Sequence, residues 1–132
     1  MDHAAERDRM VVEQIEARGV RDPAVLMAIR TIPRHRFIPS ANQDLAYHDG
    51  PVGIGEGQTI SQPYTVAFQT ELLQIKPYEK VLEVGTGSGY QAAVLIALKA
   101  QVFTIERQKD LYTKTKEFLP KLGYQAMFIY GD

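Results

Sequence analysis

The chain has 132 residues, a length that suits one domain with one core. Its 45% hydrophobic and 23% charged content is a globular balance, which excludes a disordered chain. The net charge of -1 carries no basic stripe, which argues against a nucleic-acid partner, and the lack of cysteine excludes disulfides and thiolate metal sites.

Met1 to Arg7 is polar and has no signal-peptide core. No apolar run reaches the length of a membrane span, so a soluble, cytoplasmic protein is expected. Residues 4 to 18 predict an amphipathic helix with Met10, Val11, Ile15 and Arg18 near one face, stopped at Gly19. Asp22-Pro23 reads as an N-cap followed by proline in the first turn of a second helix, which brings Val25, Leu26 and Ile29 to the core. Arg34 to Pro39 is a basic, proline-bounded connector, and residues 40 to 48 suit a short helix or turn. Gly50 to Gly57 holds four glycines and a proline, which predicts irregular backbone. A further helix starts near Pro63, with Ser61 a candidate cap and Val66, Phe68, Leu72 and Leu73 its apolar positions.

From Lys80 the pattern alternates. Strands are predicted at Val81 to Val84, Gln101 to Ile105 and Gln125 to Tyr130, with helices at Tyr90 to Lys99 and Lys109 to Lys121. Such repetition implies a parallel sheet with right-handed crossovers, in the order third, second, first. The fold class is therefore α/β and Rossmann-like, cut to about three strands behind an N-terminal helical segment. Residues 1–75 are read as that segment with its covering loop, and 76–132 as the first half of a ligand-binding domain. The first strand of such a sheet normally has a neighbour on its other side. Its bare apolar edge predicts an N-terminal fragment of a longer protein, a monomer as a whole, or a chain that self-associates through that edge.

The chemistry concentrates in Val81-Leu82-Glu83-Val84-Gly85-Thr86-Gly87-Ser88-Gly89. Glycines at alternate positions let backbone approach a ligand, and the following helix aims its free N–H groups there. A dinucleotide fingerprint needs its third glycine where Tyr90 stands. Here it stands at Gly89, which argues against NAD and towards S-adenosylmethionine, whose carboxylate suits a helix N-terminus. Ser88 adds a hydroxyl. Glu83 lies in an apolar strand and needs loop N–H groups or a ligand ammonium. Glu106 ends the second strand, about 20 residues on, where an acid meets ribose hydroxyls. Asp132, on the same carboxyl edge, is placed to reach an adenine amino group. The alternatives are a ligand-free turn, a Glu83 that only braces the loop, a solvated Glu106 paired with Arg107, and a disordered Asp132. No histidine suits a nucleophilic triad, and no metal site is expected.

Gly53-Ile54-Gly55-Glu56-Gly57-Gln58-Thr59-Ile60-Ser61-Gln62-Pro63-Tyr64 resembles the protein-L-isoaspartate O-methyltransferase family. So do Thr70 to Leu73, the glycine motif through Gln91, and Ile32 to Pro39. The resemblance implies methyl transfer from S-adenosylmethionine to the α-carboxyl of L-isoaspartyl residues in damaged proteins and peptides, a protein repair activity. It implies that Ser61 is the catalytic-site residue and that Thr59 and Ile60 close over the cofactor. It also assigns Gly85, Gly87, Glu106 and Asp132 to cofactor positions, and Thr86, Ser88 and Gly89 of the same loop are expected to bind cofactor with them. The family continues after Gly131-Asp132 with further strands. Three other readings stay open: a non-catalytic binding or dimerising fragment, a nicotinamide-dependent oxidoreductase, and a methyltransferase for another carboxylate or a small molecule.

Overall fold

A computed structural model describes residues 2–132. Helix α1 (His3–Met10) starts at Asp2, whose carboxylate accepts the Ala5 N–H at 3.2 Å. The predicted single helix over 4 to 18 is not found. After Met10 the chain widens into a π turn at Val11–Ile15 and then tightens into a 3-10 turn at Glu16–Arg18. A π turn admits an extra residue and rotates whatever follows. Met10, Val11 and Ile15 are buried as expected, but Arg18 swings to the surface and pairs with Asp49. Helix α2 (Pro23–Thr31) is capped as its sequence predicts, with Asp22 accepting from Ala24 at 2.9 Å, and buries Val25, Leu26 and Ile29. Two 3-10 turns follow, at Arg34–Phe37 and Ser40–Leu45.

The glycine-rich stretch is ordered rather than irregular. Strands β1 (Val52–Gly55) and β2 (Gln58–Ile60) form an antiparallel hairpin with Val52 opposite Ile60. The reason lies in a period of two that the glycines obscure: Val52, Ile54 and Ile60 all turn into the core. The chain reverses through Glu56 and Gly57, both at positive φ, the geometry of a two-residue hairpin turn.

Helix α3 (Pro63–Leu73) differs from expectation in two ways. Its cap residue is Gln62, without a side-chain bond, so Ser61 is not its cap. Its buried stripe is Pro63, Val66, Ala67 and Thr70, while Phe68, Leu72 and Leu73 are exposed. Packing against the N-terminal helices selects the first stripe. Leu72 and Leu73 face a groove shared with Val81, Leu82 and Leu95.

Strands β3 (Lys80–Val84), β4 (Gln101–Glu106) and β5 (Met127–Tyr130) form a parallel sheet in the order β3-β4-β5, as the strand-helix alternation predicts. Helices α4 (Tyr90–Ala97) and α5 (Lys109–Lys121) make the crossovers. Both pack on β4, where Val102, Thr104 and Glu106 alternate into the interior. The other face carries two apolar rows in register, Leu82–Phe103–Met127 and Val84–Ile105–Ile129. Val84 there is 77% exposed. Among the described residues, no strand pairs with the outer edge of β3, and no helix is long and apolar enough to cross a membrane.

Candidate cofactor and substrate site

The site lies where β3, β4 and β5 end. Gly85, Gly87 and Gly89 all have positive φ, so the loop turns sharply between β3 and α4. Two of these glycines serve different ends. Gly87 donates its N–H to Glu106 Oε1 at 2.8 Å. Gly89 lies against α5, where a Cβ would stand 2.8 Å from Thr115 Cγ2 and 3.0 Å from Leu119 Cδ1. Thr115 Oγ1 in turn donates to the Gly87 carbonyl at 2.9 Å, so α5 holds the loop from behind.

Two cavities flank the loop. The first, about 320 Å³, is lined by Thr59, Ile60 and Ser61 on one side and by Glu83, Thr86, Gly87 and Ser88 on the other. The second, about 300 Å³, is lined by Thr59, Gly85 and Gly87 and by Glu106 and Asp132. They share Thr59, Val84, Gly85 and Gly87, so they adjoin. Every residue singled out from the sequence lines one or both, except Gly89, whose place is packing. The fold thus brings Ser61, 22 positions away from Glu83 in the chain, to the same cavity wall system.

The two carboxylates have different partners within the protein. Glu83 accepts no N–H from the loop and reaches it only through hydroxyls. Its Oε1 accepts from Thr104 Oγ1 at 2.6 Å, and Thr104 Oγ1 also meets Thr86 Oγ1 at 2.5 Å. Burial pushes the Glu83 carboxyl up to about 7; the Glu106 charge acts in the same direction and the Thr104 hydroxyl opposes. Glu106 braces the loop. It is 5% exposed, and its second oxygen accepts the Gln108 N–H at 2.9 Å, so it is not the solvated partner of Arg107. Ser88 Oγ accepts the Tyr90 N–H at 3.2 Å at the start of α4.

Four contributors escaped the sequence reading. Thr104 pairs in register with Glu83 across β3 and β4, so a hydroxyl in that apolar strand was the available signal. Gln69 and Gln91 line the first cavity from α3 and α4. Arg34 lies behind Ser61 with no exposed surface. Its Nη2 donates to the Ser61 carbonyl at 2.8 Å, its Nε to the Ala46 carbonyl at 2.7 Å, and its guanidinium stands 4.9 Å over the Tyr90 ring. Burial lowers its pKa.

A doubly wound half-sheet with this loop and hydroxyl segment has close relatives. The sequence profile of the protein-L-isoaspartate(D-aspartate) O-methyltransferase family matches residues 5–132. A protein-L-isoaspartate O-methyltransferase of Christiangramia forsetii is 56% identical over 98% of this chain and 61% of its own length. The chain thus spans about three fifths of that curated relative. A solved protein-L-isoaspartate O-methyltransferase superposes with a TM-score of 0.86 at 27% identity, over 96% of this chain and 42% of the other. A Plasmodium falciparum protein, solved in complex with S-adenosyl-L-homocysteine, superposes with a TM-score of 0.72 at 26% identity, over 99% of this chain and 62% of the other. With the profile spanning all but the first four residues and the glycine loop, acids and hydroxyl segment converging on one site, the chain belongs to the protein-L-isoaspartate(D-aspartate) O-methyltransferase family.

Proposed function

We propose that this protein methylates the side-branch α-carboxyl of L-isoaspartyl residues in damaged proteins and peptides, with S-adenosylmethionine as methyl donor. The observation that carries the reading is the meeting of the Thr59–Ser61 segment with the glycine loop around one cavity. Residues 76–132 then hold the cofactor, and residues 1–75 supply the cover and Ser61.

The residues present suit the donor. Ser88 Oγ takes the Tyr90 N–H at the start of α4, and the cap residue Gly89 has no side chain, so the rest of that helix end stays open to a carboxylate. Glu83, half-buried with one hydroxyl partner, suits an ammonium. Glu106 and Asp132 border the neighbouring cavity, which suits the ribose and adenine groups. When bound, S-adenosylmethionine supplies a methyl already activated on a sulfonium. The chain therefore needs no strong base, because a substrate carboxylate is ionised at neutral pH. Ser61 orients that carboxylate, and Thr59 and Ile60 shield it from water.

The test is transfer of isotope-labelled methyl to paired synthetic peptides. A peptide with one isoaspartyl residue is expected to be labelled and its aspartyl isomer not. Equal labelling of both, or of neither, overturns the reading.

A further inference from the structure

We propose that Arg34 is a positioning residue that sets Ser61 relative to the glycine loop. The proposal rests on the reading of Ser61 given above. Arg34 is fully buried, yet no carboxylate pairs with it among the described residues. Its Nη1 and the nearby Tyr90 hydroxyl are both buried without a hydrogen-bond partner. An apolar side chain would fill such a place at less cost in desolvation. What a guanidinium adds is geometry: a rigid planar fork with donors in fixed directions.

The fork joins segments that no strand ladder connects. Nε takes Ala46 O and Nη2 takes Ser61 O, so one rigid group fixes the loop before β1 and the segment after β2. The guanidinium plane also meets the ring of Tyr90, the first residue of α4, directly after Gly89. Ser61 is thereby tied through Arg34 to the end of the glycine loop. The other brace of this segment is weaker. Gln62 Nε2 donates to Asp49 Oδ1 at 2.7 Å, and Asp49 pairs with Arg18, all at the surface.

The test uses Arg34→Met, Arg34→Lys and Asp49→Asn in the protein as its gene encodes it. Three readouts apply: steady-state methyl transfer to an isoaspartyl peptide, S-adenosylhomocysteine affinity by calorimetry, and amide hydrogen exchange. Arg34→Met is expected to lower kcat about 100-fold, the scale of a 1 Å misplacement, with peptide KM and S-adenosylhomocysteine Kd within about threefold. Arg34→Lys is expected to recover part of kcat, and Asp49→Asn to leave it within about threefold. A folded Arg34→Met with near-normal kcat, or with Kd weakened as much as kcat falls, overturns the proposal. Should Arg34→Met not fold, Arg34→Lys carries the test, with a kcat loss of about tenfold at unchanged Kd expected. If the wild type labels no isoaspartyl peptide, the functional reading fails, and hydrogen exchange decides the Arg34 proposal alone. Faster exchange at Ile60 to Gln62 with β4 unchanged supports it; unchanged exchange there overturns it.

Discussion

Glu106 Oε1 accepts the backbone N–H of Gly87 at 2.8 Å, while its other oxygen accepts the N–H of Gln108 at 2.9 Å. One carboxylate at the end of β4 therefore sets both the glycine loop and the entry to α5. Glu106 also borders the cavity that Asp132 lines. An acid in this place shapes the loop before it meets any ligand.

Glu106→Gln keeps one acceptor and turns an N–H towards the other donor. A charge-assisted bond is lost and a clash of donors introduced, which is expected to cost about 2 kcal/mol in urea unfolding. S-adenosylhomocysteine affinity by calorimetry is expected to fall at least about tenfold. An unaltered affinity would mean that the loop holds its shape without this brace.

Gly89 permits no side chain. It has a φ of +86°, and a Cβ would meet Thr115 Cγ2 at 2.8 Å. Gly89→Ala is expected to destabilise the fold by about 2 to 4 kcal/mol through strain and overpacking. Gly50→Ala, with nothing within 4 Å of its added Cβ, is the control and is expected to cost under about 1 kcal/mol. Chemical denaturation of the two variants side by side checks this.

Glu83 makes stability and binding respond oppositely to pH. Its folded pKa, about 7, lies above that of an unfolded glutamate, so the folded state holds a proton that the unfolded state releases first. That contribution is present in full below the unfolded value of about 4.5 and is lost as pH rises towards 7. An ammonium on the ligand needs the ionised form, so S-adenosylhomocysteine is expected to bind more tightly at pH 8 than at pH 6. Glu83→Gln should flatten both profiles in calorimetry and thermal melts. Thr104→Val removes the hydroxyl that favours ionisation, and should move the binding transition to higher pH.

Ser61 is not occupied in capping α3, since Gln62 is the cap residue and no side chain bonds there. Ser61→Ala is expected to lower kcat about 10- to 100-fold while S-adenosylhomocysteine Kd stays within about twofold. A matching loss in both would assign the hydroxyl to cofactor binding instead.

Much of the second half of the chain was legible from its residues. Lys109–Lys121 is helical over the predicted range, and β3, β4 and β5 lie in the predicted order. Local pattern suffices there, because a parallel strand reads as a short apolar run and each glycine or cap punctuates it. The first half was less legible where burial, not pattern, decides. The β1–β2 hairpin hid behind four glycines, and the exposed Leu72 and Leu73 of α3 looked like core. Both depend on which neighbour an element meets, and that is a property of the assembled chain.

The same division runs through the site. By itself the sequence determined the glycine loop and the acids at positions 83 and 106, through backbone needs and spacing from the loop, and marked the segment around Ser61 through its family resemblance. Only the tertiary structure decided that Glu106, not Glu83, holds the loop, that Thr104 serves Glu83, and that Arg34 joins Ser61 to Tyr90. These contacts span 19 to 27 positions in the chain where hydrogen-bonded. A buried polar group must find its partner wherever packing has placed one, and no local spacing records that requirement.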